Sequence, residues 1–217
     1  MKTAFFAVLS FAFACVVFAG ASTAMNHNGK FGLHLVTLEE KTSCDFVMTN
    51  CMNARTHIVS PGGEGARWDI YVIAMDVTAI QGVRYGLRTE NPVGQGLYFY
   101  GWTNCGMLEI PTPGWPGNGE GNAQTWSTEQ AGPHVTVGIL DVYLYPGSNA
   151  KLCTTADPRV GWAEFCDGSE PVPLCNRHYG WEHEAFGCVG FNRDGYNPCG
   201  VVPTEHTSWG VVKGLYR

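Results

Sequence analysis

Side chains that could do chemistry concentrate in one stretch, CNRHYGWEHEAFGC, which runs from Cys175 to Cys188. Zinc proteases carry His-Glu-x-x-His, or the inverted His-x-x-Glu-His, on one face of a helix. Here no second histidine follows His183 and Glu184, and the glycine inside the stretch predicts a loop. Three residues, not two, separate His178 from Glu182. A metal held in a loop by His178, Glu182 and His183 is the functional alternative to an ordinary exposed loop.

A second acidic group lies in DPRVGWAEFCDGSE, from Asp157 to Glu170. Calcium suits exported proteins because its oxygen ligands persist outside the cell, and turns can bring carboxylates together. The stretch lacks the regular spacing of an EF-hand loop. Asp157 and Asp167 are therefore the calcium candidates, with a solvated acidic surface as the alternative. No other cofactor is expected.

The sequence does not carry the motifs of nucleophilic hydrolases. It has no Gly-x-Ser-x-Gly elbow, and an even number of cysteines in an exported chain argues against a catalytic free thiol. Paired carboxylates for glycoside hydrolysis can be distant in sequence. They leave four acidic residues open: Glu109, Glu120, Asp141 and Glu164. We expect a protein that is not an enzyme.

Tryptophan recurs in four Gly-Trp pairs, which end at Trp102, Trp115, Trp162 and Trp181. An exposed aromatic ring can stack on a sugar ring while its polar end stays hydrated. Trp115 and Trp181 lie in turn-rich contexts, so these two are the predicted carbohydrate-binding residues. Burial is expected for the tryptophans in strand-like runs, which are Trp68, Trp126 and Trp162.

The first 24 residues have the pattern of a secretory signal peptide. A lysine follows the initiator methionine, Ala4 to Gly20 form an apolar run, and small residues come next. Cleavage after Ala21 and cleavage after Ala24 both fit. The run is short for a membrane span of roughly 20 residues. We expect a secreted or cell-surface protein that has no membrane span once the leader is removed.

The cysteine content predicts disulfides. The chain has nine cysteines, and removal of Cys15 with the leader leaves an even number. Exported chains keep disulfides because their compartment is oxidising. Four disulfides are predicted among Cys44, Cys51, Cys105, Cys153, Cys166, Cys175, Cys188 and Cys199. The sequence does not select one pairing.

The charge of the chain excludes one class of partner. The formal net charge is −6, and the 13 lysines and arginines are scattered singly. Nucleic-acid binding needs clustered basic residues to neutralise phosphates. We therefore expect an extracellular protein or a glycan as the partner, and no nucleic acid.

Strand patterns dominate the first two thirds of the chain. Arg67 to Val77 is apolar on both faces, which is typical of an interior strand of a packed sheet. Gly- and Pro-rich turns separate the strand-like runs, which favours an all-β, antiparallel β-sandwich. The runs are Arg67–Val77, Gly82–Thr89, Gly96–Trp102, Met107–Ile110, Ala123–Ser127 and His134–Tyr145.

The composition changes after Tyr145, where cysteines become frequent and strand-like runs fewer. We predict a signal peptide at 1–24 and a sandwich core at 25–147. Residues 148–200 form a disulfide-stapled, loop-rich extension that packs on the sandwich or completes its last strands. Residues 201–217 are a C-terminal tail.

The segment WDIYVIAMDVTAIQGVRYGL resembles the first strand pair of cohesin-like sandwiches. Cohesins bind dockerin domains, but no residue here matches a dockerin-contacting motif. The chain also resembles uncharacterised secreted proteins of environmental bacteria. That resemblance rests on GWTNC, the run from Leu108 to Asn122, GYNPC and the terminal TSWGVVKGLYR. It implies an exported β-sandwich and no particular activity.

Three functions remain open at this stage. The first is a non-catalytic exported sandwich for binding, adhesion or assembly, with a carbohydrate or protein ligand. The second is a self-assembling structural subunit of an extracellular filament or layer. The third is a secreted hydrolase with a loop-built metal site or scattered carboxylates.

Overall fold

A computed structural model describes residues 26–59, 65–93, 96–169, 171–179 and 184–199. Predictions for the signal peptide, the tail at 201–217, and Trp181, Glu182 and His183 lie outside the described residues. Within the described residues, no helix has the length and apolar character needed to cross a membrane.

Four antiparallel strands form the first sheet. In spatial order they are β1 (Lys30–Thr37), β3 (Ala66–Met75), β8 (His134–Leu144) and β5 (Leu97–Asn104). The interior pair β3 and β8 is in register over its whole length, with one irregularity between Val72 and Ile73.

Eight strands form the second sheet: β2 (His57–Ile58), β4 (Ala79–Val93), β6 (Leu108–Pro111), β7 (Gly121–Ala131), β9 (Asn149–Thr155), β10 (Trp162–Cys166), β11 (Cys175–Tyr179) and β12 (Cys188–Phe191). The long strand β4 is its centre. One edge of β4 carries β7 and then β6, and the other edge pairs with β10 and β9. From there β10 continues to β11, and β9 continues to β12 and β2.

The structure confirms the predicted all-β fold with two packed, mainly antiparallel sheets. Every run predicted to be a strand overlaps one. Residues 148–200, set apart in sequence by their cysteines, contribute β9, β10, β11 and β12 to the second sheet.

The prediction of a loop at the start of CNRHYGWEHEAFGC is wrong. Cys175–Tyr179 form the edge strand β11, which pairs residue by residue with β10. The strand is hidden in sequence because its outward positions are Cys175, Arg177 and Tyr179, which give no apolar alternation. Pairing with β10 and a disulfide to Cys166 hold it in the sheet.

The main core fills the space between the two sheets. Inward residues of both sheets supply it because successive side chains of a strand point to opposite faces. Its largest fully buried members include Phe31, Leu33, Leu35, Ile70, Tyr85, Leu87, Leu140, Phe165 and Phe191. The Phe31 ring packs on Phe165 at 4.3 Å and on Tyr85 at 4.9 Å between centroids, which joins the sheets.

A second, smaller core lies on the outer face of the first sheet. Tyr71, Ile73 and Met75 of β3 point away from the main core and are nevertheless buried. Residues 38–56, which we call the covering segment, pack over them. Phe46 of this segment stacks on Tyr71 at 4.3 Å between ring centroids. The prediction that β3 is apolar on both faces is confirmed, and the covering segment explains how both faces are kept from water.

Four disulfides fasten this arrangement, as the cysteine count predicts. Two of them hold the covering segment: Cys44–Cys105 and Cys51–Cys199. The others, Cys153–Cys188 and Cys166–Cys175, join residues that are directly opposite on neighbouring strands of the second sheet. Cys175 and Cys188 are therefore not bonded to each other.

We expect loss of the Cys51–Cys199 disulfide to destabilise the protein more than loss of Cys166–Cys175. The bridged residues are 148 positions apart in Cys51–Cys199 and 9 positions apart in Cys166–Cys175. In the chain-entropy description the stabilisation grows with the logarithm of loop length, which gives a difference of about 2.5 kcal/mol. Guanidinium unfolding of the two double Cys→Ala variants, without reductant, measures it. An equal or smaller loss for Cys51→Ala/Cys199→Ala would contradict the anchoring role of this disulfide.

Candidate functional site

His178, a predicted metal ligand, lies on β11 opposite Ala163. Its ring packs edge-on against Phe165, with 5.8 Å between centroids. Phe165 is fully buried, so the imidazole borders the main core. Since Glu182 and His183 are outside the described residues, the three-ligand site stays a prediction.

Two clusters of potential metal-ligand atoms occur among the described residues. They are Cys51 with Asp76 and His134, and Glu164 with Cys166 and Cys175. Every cysteine in these clusters is in a disulfide. Zinc is bound by thiolates, so these sulfur atoms are not zinc ligands.

The calcium candidates Asp157 and Asp167 are already engaged by the chain. Both carboxylate oxygens of Asp157 accept hydrogen bonds from the Arg159 guanidinium. Oδ1 of Asp167 accepts the N–H groups of Ser169 at 3.0 Å and Leu174 at 2.8 Å. The two aspartates lie beyond opposite ends of β10, which spans five residues, or roughly 17 Å. One ion therefore cannot contact both of them.

Trp115 is not the exposed stacking platform that its turn-rich context predicts. It is half-buried against the main core. Its ring meets Tyr85 at 5.5 Å and Trp102 at 5.3 Å, edge-on in both cases. The turn after β6 folds this ring inward, so Trp115 contributes to packing.

The four acidic residues left open by the sequence have different surroundings. Glu109 accepts hydrogen bonds from a tryptophan ring N–H and an asparagine amide, both at 2.6 Å. Glu120 accepts a threonine hydroxyl, and Glu164 pairs with two arginines. Asp141 differs, because β3 places Asp69 directly opposite it on the neighbouring strand.

Asp69 and Asp141 lie in a cleft of about 560 Å³ on the outer face of the first sheet, which we call the carboxylate cleft. Its floor follows one row of the sheet, from Asp69 through Asp141 to Gly101. Leu38 and Thr42, at the start of the covering segment, also line it. A Cβ atom placed on Gly101 would have Asp141 Cβ, at 4.0 Å, as its one neighbour within that distance. The glycine therefore keeps the floor open.

Four tyrosines flank the carboxylate cleft and form what we call the tyrosine row: Tyr98, Tyr100, Tyr143 and Tyr145. Neighbouring rings in this row pack edge-on, with centroids 4.9 to 6.2 Å apart. Tyr98 is 50% exposed and Tyr100 is 57% exposed. The row thus offers aromatic surface to solvent on a rigid sheet.

Arg67 connects the tyrosine row to the carboxylate cleft. Its Nε donates to Oδ1 of Asp141 at 2.7 Å, and a terminal nitrogen donates to Oδ2 of the same carboxylate. The guanidinium carbon also lies 5.0 Å from the centroid of the Tyr100 ring. A planar guanidinium suits both contacts, since it binds carboxylates in a fork and stacks on aromatic faces.

The surroundings of Asp69 change its acidity. Burial raises the pKa of Asp69 above its usual range, and the nearby charge of Asp141 raises it further. The Thr42 hydroxyl, which donates to Asp69 at 3.1 Å, and Arg67 oppose this rise. When both acids are ionised the cleft carries one net negative charge. It can accept hydrogen bonds from neutral hydroxyl groups and repels anions.

Sequence reasoning named Asp141 but missed the other residues of this surface. Arg67 and Asp69 are two positions apart in a strand that is otherwise apolar on both faces. This pair of charges was the signal that could have located the site. Tyr98 and Tyr100 are two positions apart in one strand, and Tyr143 and Tyr145 are two positions apart at the end of the predicted run His134–Tyr145. This spacing places each pair on one face. Which strands are neighbours came only from the structure.

Comparison with models of protein families and with curated proteins finds no match for this chain. Among solved structures, the chain is similar to a cohesin module from a Clostridium perfringens ATCC13124 family 33 glycoside hydrolase. The sequence identity is 7% and the TM-score is 0.40, over 76% of this chain and 98% of that module. The likeness is too distant to carry a function from that module to this chain.

The raised pKa of Asp69 predicts how an Asp69→Asn variant responds to pH. An acid with a raised folded-state pKa stabilises the fold below its unfolded pKa and loses that contribution as pH rises through the folded pKa. We therefore expect the stability of the variant relative to the wild type to increase as pH rises above about 4, the usual pKa of an aspartate. Urea unfolding at several pH values measures the difference. The exposed Asp45→Asn is the control, and a difference that is constant with pH or shrinks as pH rises would contradict the prediction.

Proposed function

We propose that this protein is an exported, non-catalytic binding module that recognises neutral carbohydrate through the carboxylate cleft and the tyrosine row. The observation that carries the proposal is the adjacency of exposed Tyr98 and Tyr100 to the Arg67–Asp141 pair and Asp69. A sugar ring has an apolar face that fits an aromatic side chain, and hydroxyl groups that need polar partners.

The polar groups of the cleft match those hydroxyl groups. The carboxylates of Asp69 and Asp141 accept hydrogen bonds, and Arg67 has five N–H donors to share between Asp141 and a ligand oxygen. Because the cleft carries a net negative charge, sugars that bear carboxylate or sulfate groups are disfavoured. We therefore expect neutral hexoses or pentoses as ligands.

The scaffold supports binding at low entropic cost. The tyrosine row and the cleft floor are carried by β3, β5 and β8, which are bonded along their lengths. The disulfide Cys44–Cys105 fastens the covering segment beside the cleft to the end of β5. Preorganised side chains lose little freedom when a ligand binds, which raises affinity.

The arrangement of the carboxylates favours binding over hydrolysis. A glycoside hydrolase needs one carboxylate free to attack or to activate water and one acid free to donate a proton. Both oxygens of Asp141 are occupied by Arg67. We expect a bound oligosaccharide to be recovered intact after long incubation. Release of reducing sugar would favour the hydrolase alternative.

Export of the module is supported by the signal-like leader and by the cysteine pairs. Four disulfides among eight cysteines suit a compartment that is oxidising. Mass spectrometry of the protein from the medium of an expressing culture would test export and locate the cleavage site after Ala21 or Ala24.

A glycan array followed by calorimetry tests the carbohydrate proposal. We expect hits among neutral oligosaccharides. Tyr100→Ala should weaken binding at least tenfold, because a well-packed aromatic anchor contributes about 2 kcal/mol or more. Gly101→Val should also weaken binding, because its Cβ has Asp141 Cβ at 4.0 Å as its nearest neighbour and its methyl groups would occupy the open floor of the cleft.

The matched control is Tyr179→Ala, which removes an exposed tyrosine from the second sheet and should leave glycan binding unchanged. An array without neutral hits would overturn the proposal. So would equal losses in the control and cleft variants, since the ligand would then contact another surface.

A further inference from the structure

A groove crosses the outer face of the second sheet, on the opposite side of the sandwich from the carboxylate cleft. Its volume is about 750 Å³, and we call it the second-sheet groove. Small residues form its floor: Gly82, Ala123 and Thr125. Leu108 and Ile110 of the edge strand β6 form one wall, and each is 58% exposed.

One row of paired residues crosses this groove from edge to edge: Ile110, Ala123, Arg84, Glu164 and Arg177. Arg84 Nε lies 3.1 Å from Oε1 of Glu164, and Arg177 Nε lies 3.3 Å from Oε2. The Glu164 side chain is 13% exposed, whereas that of Arg177 is 49% exposed. The carboxylate of Glu164 is thus paired within the sheet, and the guanidinium of Arg177 reaches solvent.

The exposed guanidinium is held in place. The ring N–H of Trp162 donates to Glu164 at 3.1 Å, which fixes the carboxylate. The guanidinium carbon of Arg177 lies 4.7 Å from the centroid of the Trp162 ring. A stacked guanidinium loses less freedom on binding than a mobile lysine would.

The charges of the row do not cancel. Two guanidinium groups share one carboxylate, which leaves an excess positive charge in a protein whose formal net charge is −6. Each guanidinium has five N–H donors. Nε of Arg177 donates to Glu164 at 3.3 Å, whereas Nε of Arg84 lies 3.1 Å from Glu164 as an ion pair without a hydrogen bond. The N–H groups of the terminal nitrogens therefore remain for another acceptor. Asp167 also lines the groove and balances the formal charge of its lining. Its Oδ1 accepts the backbone N–H groups of Ser169 and Leu174, and its Oδ2 is buried, so the exposed charge of the groove is the guanidinium of Arg177.

We propose that the second-sheet groove binds an extended segment of a partner protein in which an acidic residue is flanked by apolar residues. The acidic side chain pairs with Arg84 and Arg177, because a carboxylate matches the fork of a guanidinium. The flanking apolar side chains cover Leu108, Ile110 and Val172. This site is independent of the proposed carbohydrate site.

The walls of the groove favour a peptide over an acidic glycan. Val172, on the side opposite β6, is 69% exposed, and Pro173 lies beside it. Aliphatic walls would leave sugar hydroxyl groups without partners, whereas apolar side chains of a peptide would bury the same surface. Interfaces commonly combine an apolar centre with arginine in this way.

Selection of a random linear peptide library on the full chain tests the proposal. We expect enrichment of peptides with one Asp or Glu between apolar residues. Changing that acid to its amide should weaken binding at least tenfold, measured by fluorescence anisotropy. Arg177→Gln should cause a similar loss, and Arg177→Lys a smaller one, because lysine keeps the charge but not the fork.

Two further variants keep the test decisive. Gly82→Leu should block the groove while leaving the fold intact, because a Cβ at this position has its nearest neighbour at 3.5 Å. Arg67→Gln changes the opposite face and should leave peptide binding unchanged.

Three outcomes would overturn the proposal: failure to select a peptide, enrichment without an acid, or binding of acidic glycans in place of peptides. Because Arg67→Gln impairs only the carbohydrate site, failure of one proposal is distinguishable from failure of the other.

Discussion

The apolar side chains on both faces of β3 are the constraint on which the rest of the structure depends. A strand of this kind is stable only when each face is kept from water. The second sheet covers one face and forms the main core. The covering segment covers the other face, where Phe46 stacks on Tyr71, and two disulfides hold it there. The sandwich is therefore a three-layer arrangement along part of its length.

The candidate carbohydrate site lies where that cover ends. Along the outward face of β3 the residues change from Arg67 and Asp69 to Tyr71, Ile73 and Met75. The apolar residues lie under the covering segment. Of the charged ones, Arg67 is exposed and Asp69 is half-buried at the edge of that segment, beside the tyrosine row. The second-sheet groove has a related origin, since small residues at its centre leave a depression between taller walls. Both surfaces are carried by bonded strands, so their side chains are fixed in relation to one another.

The fold class, the six main strands and the disulfide count could be predicted because apolar alternation and cysteine parity are local signals. The later strands could not. The alternating positions of β10 and β11 carry charged and cysteine residues, and these strands are held by pairing with distant neighbours.

The candidate site was predictable only in part. Asp141 was one of four open acids, but its partners Asp69 and Arg67 are more than 70 residues away in sequence. The expected exposure of Trp115 was wrong, because turn residues do not reveal that the ring folds inward.

The central claim is that the first sheet presents a binding surface beside the edge of the covering segment. An NMR titration of the isotope-labelled protein with a neutral oligosaccharide selected on an array tests this claim most directly. The account predicts shift changes confined to amides of β3, β5 and β8 around Asp69, Gly101 and Asp141, and to the ring signals of the tyrosine row. Shift changes on the second sheet, or none on the first, would contradict it.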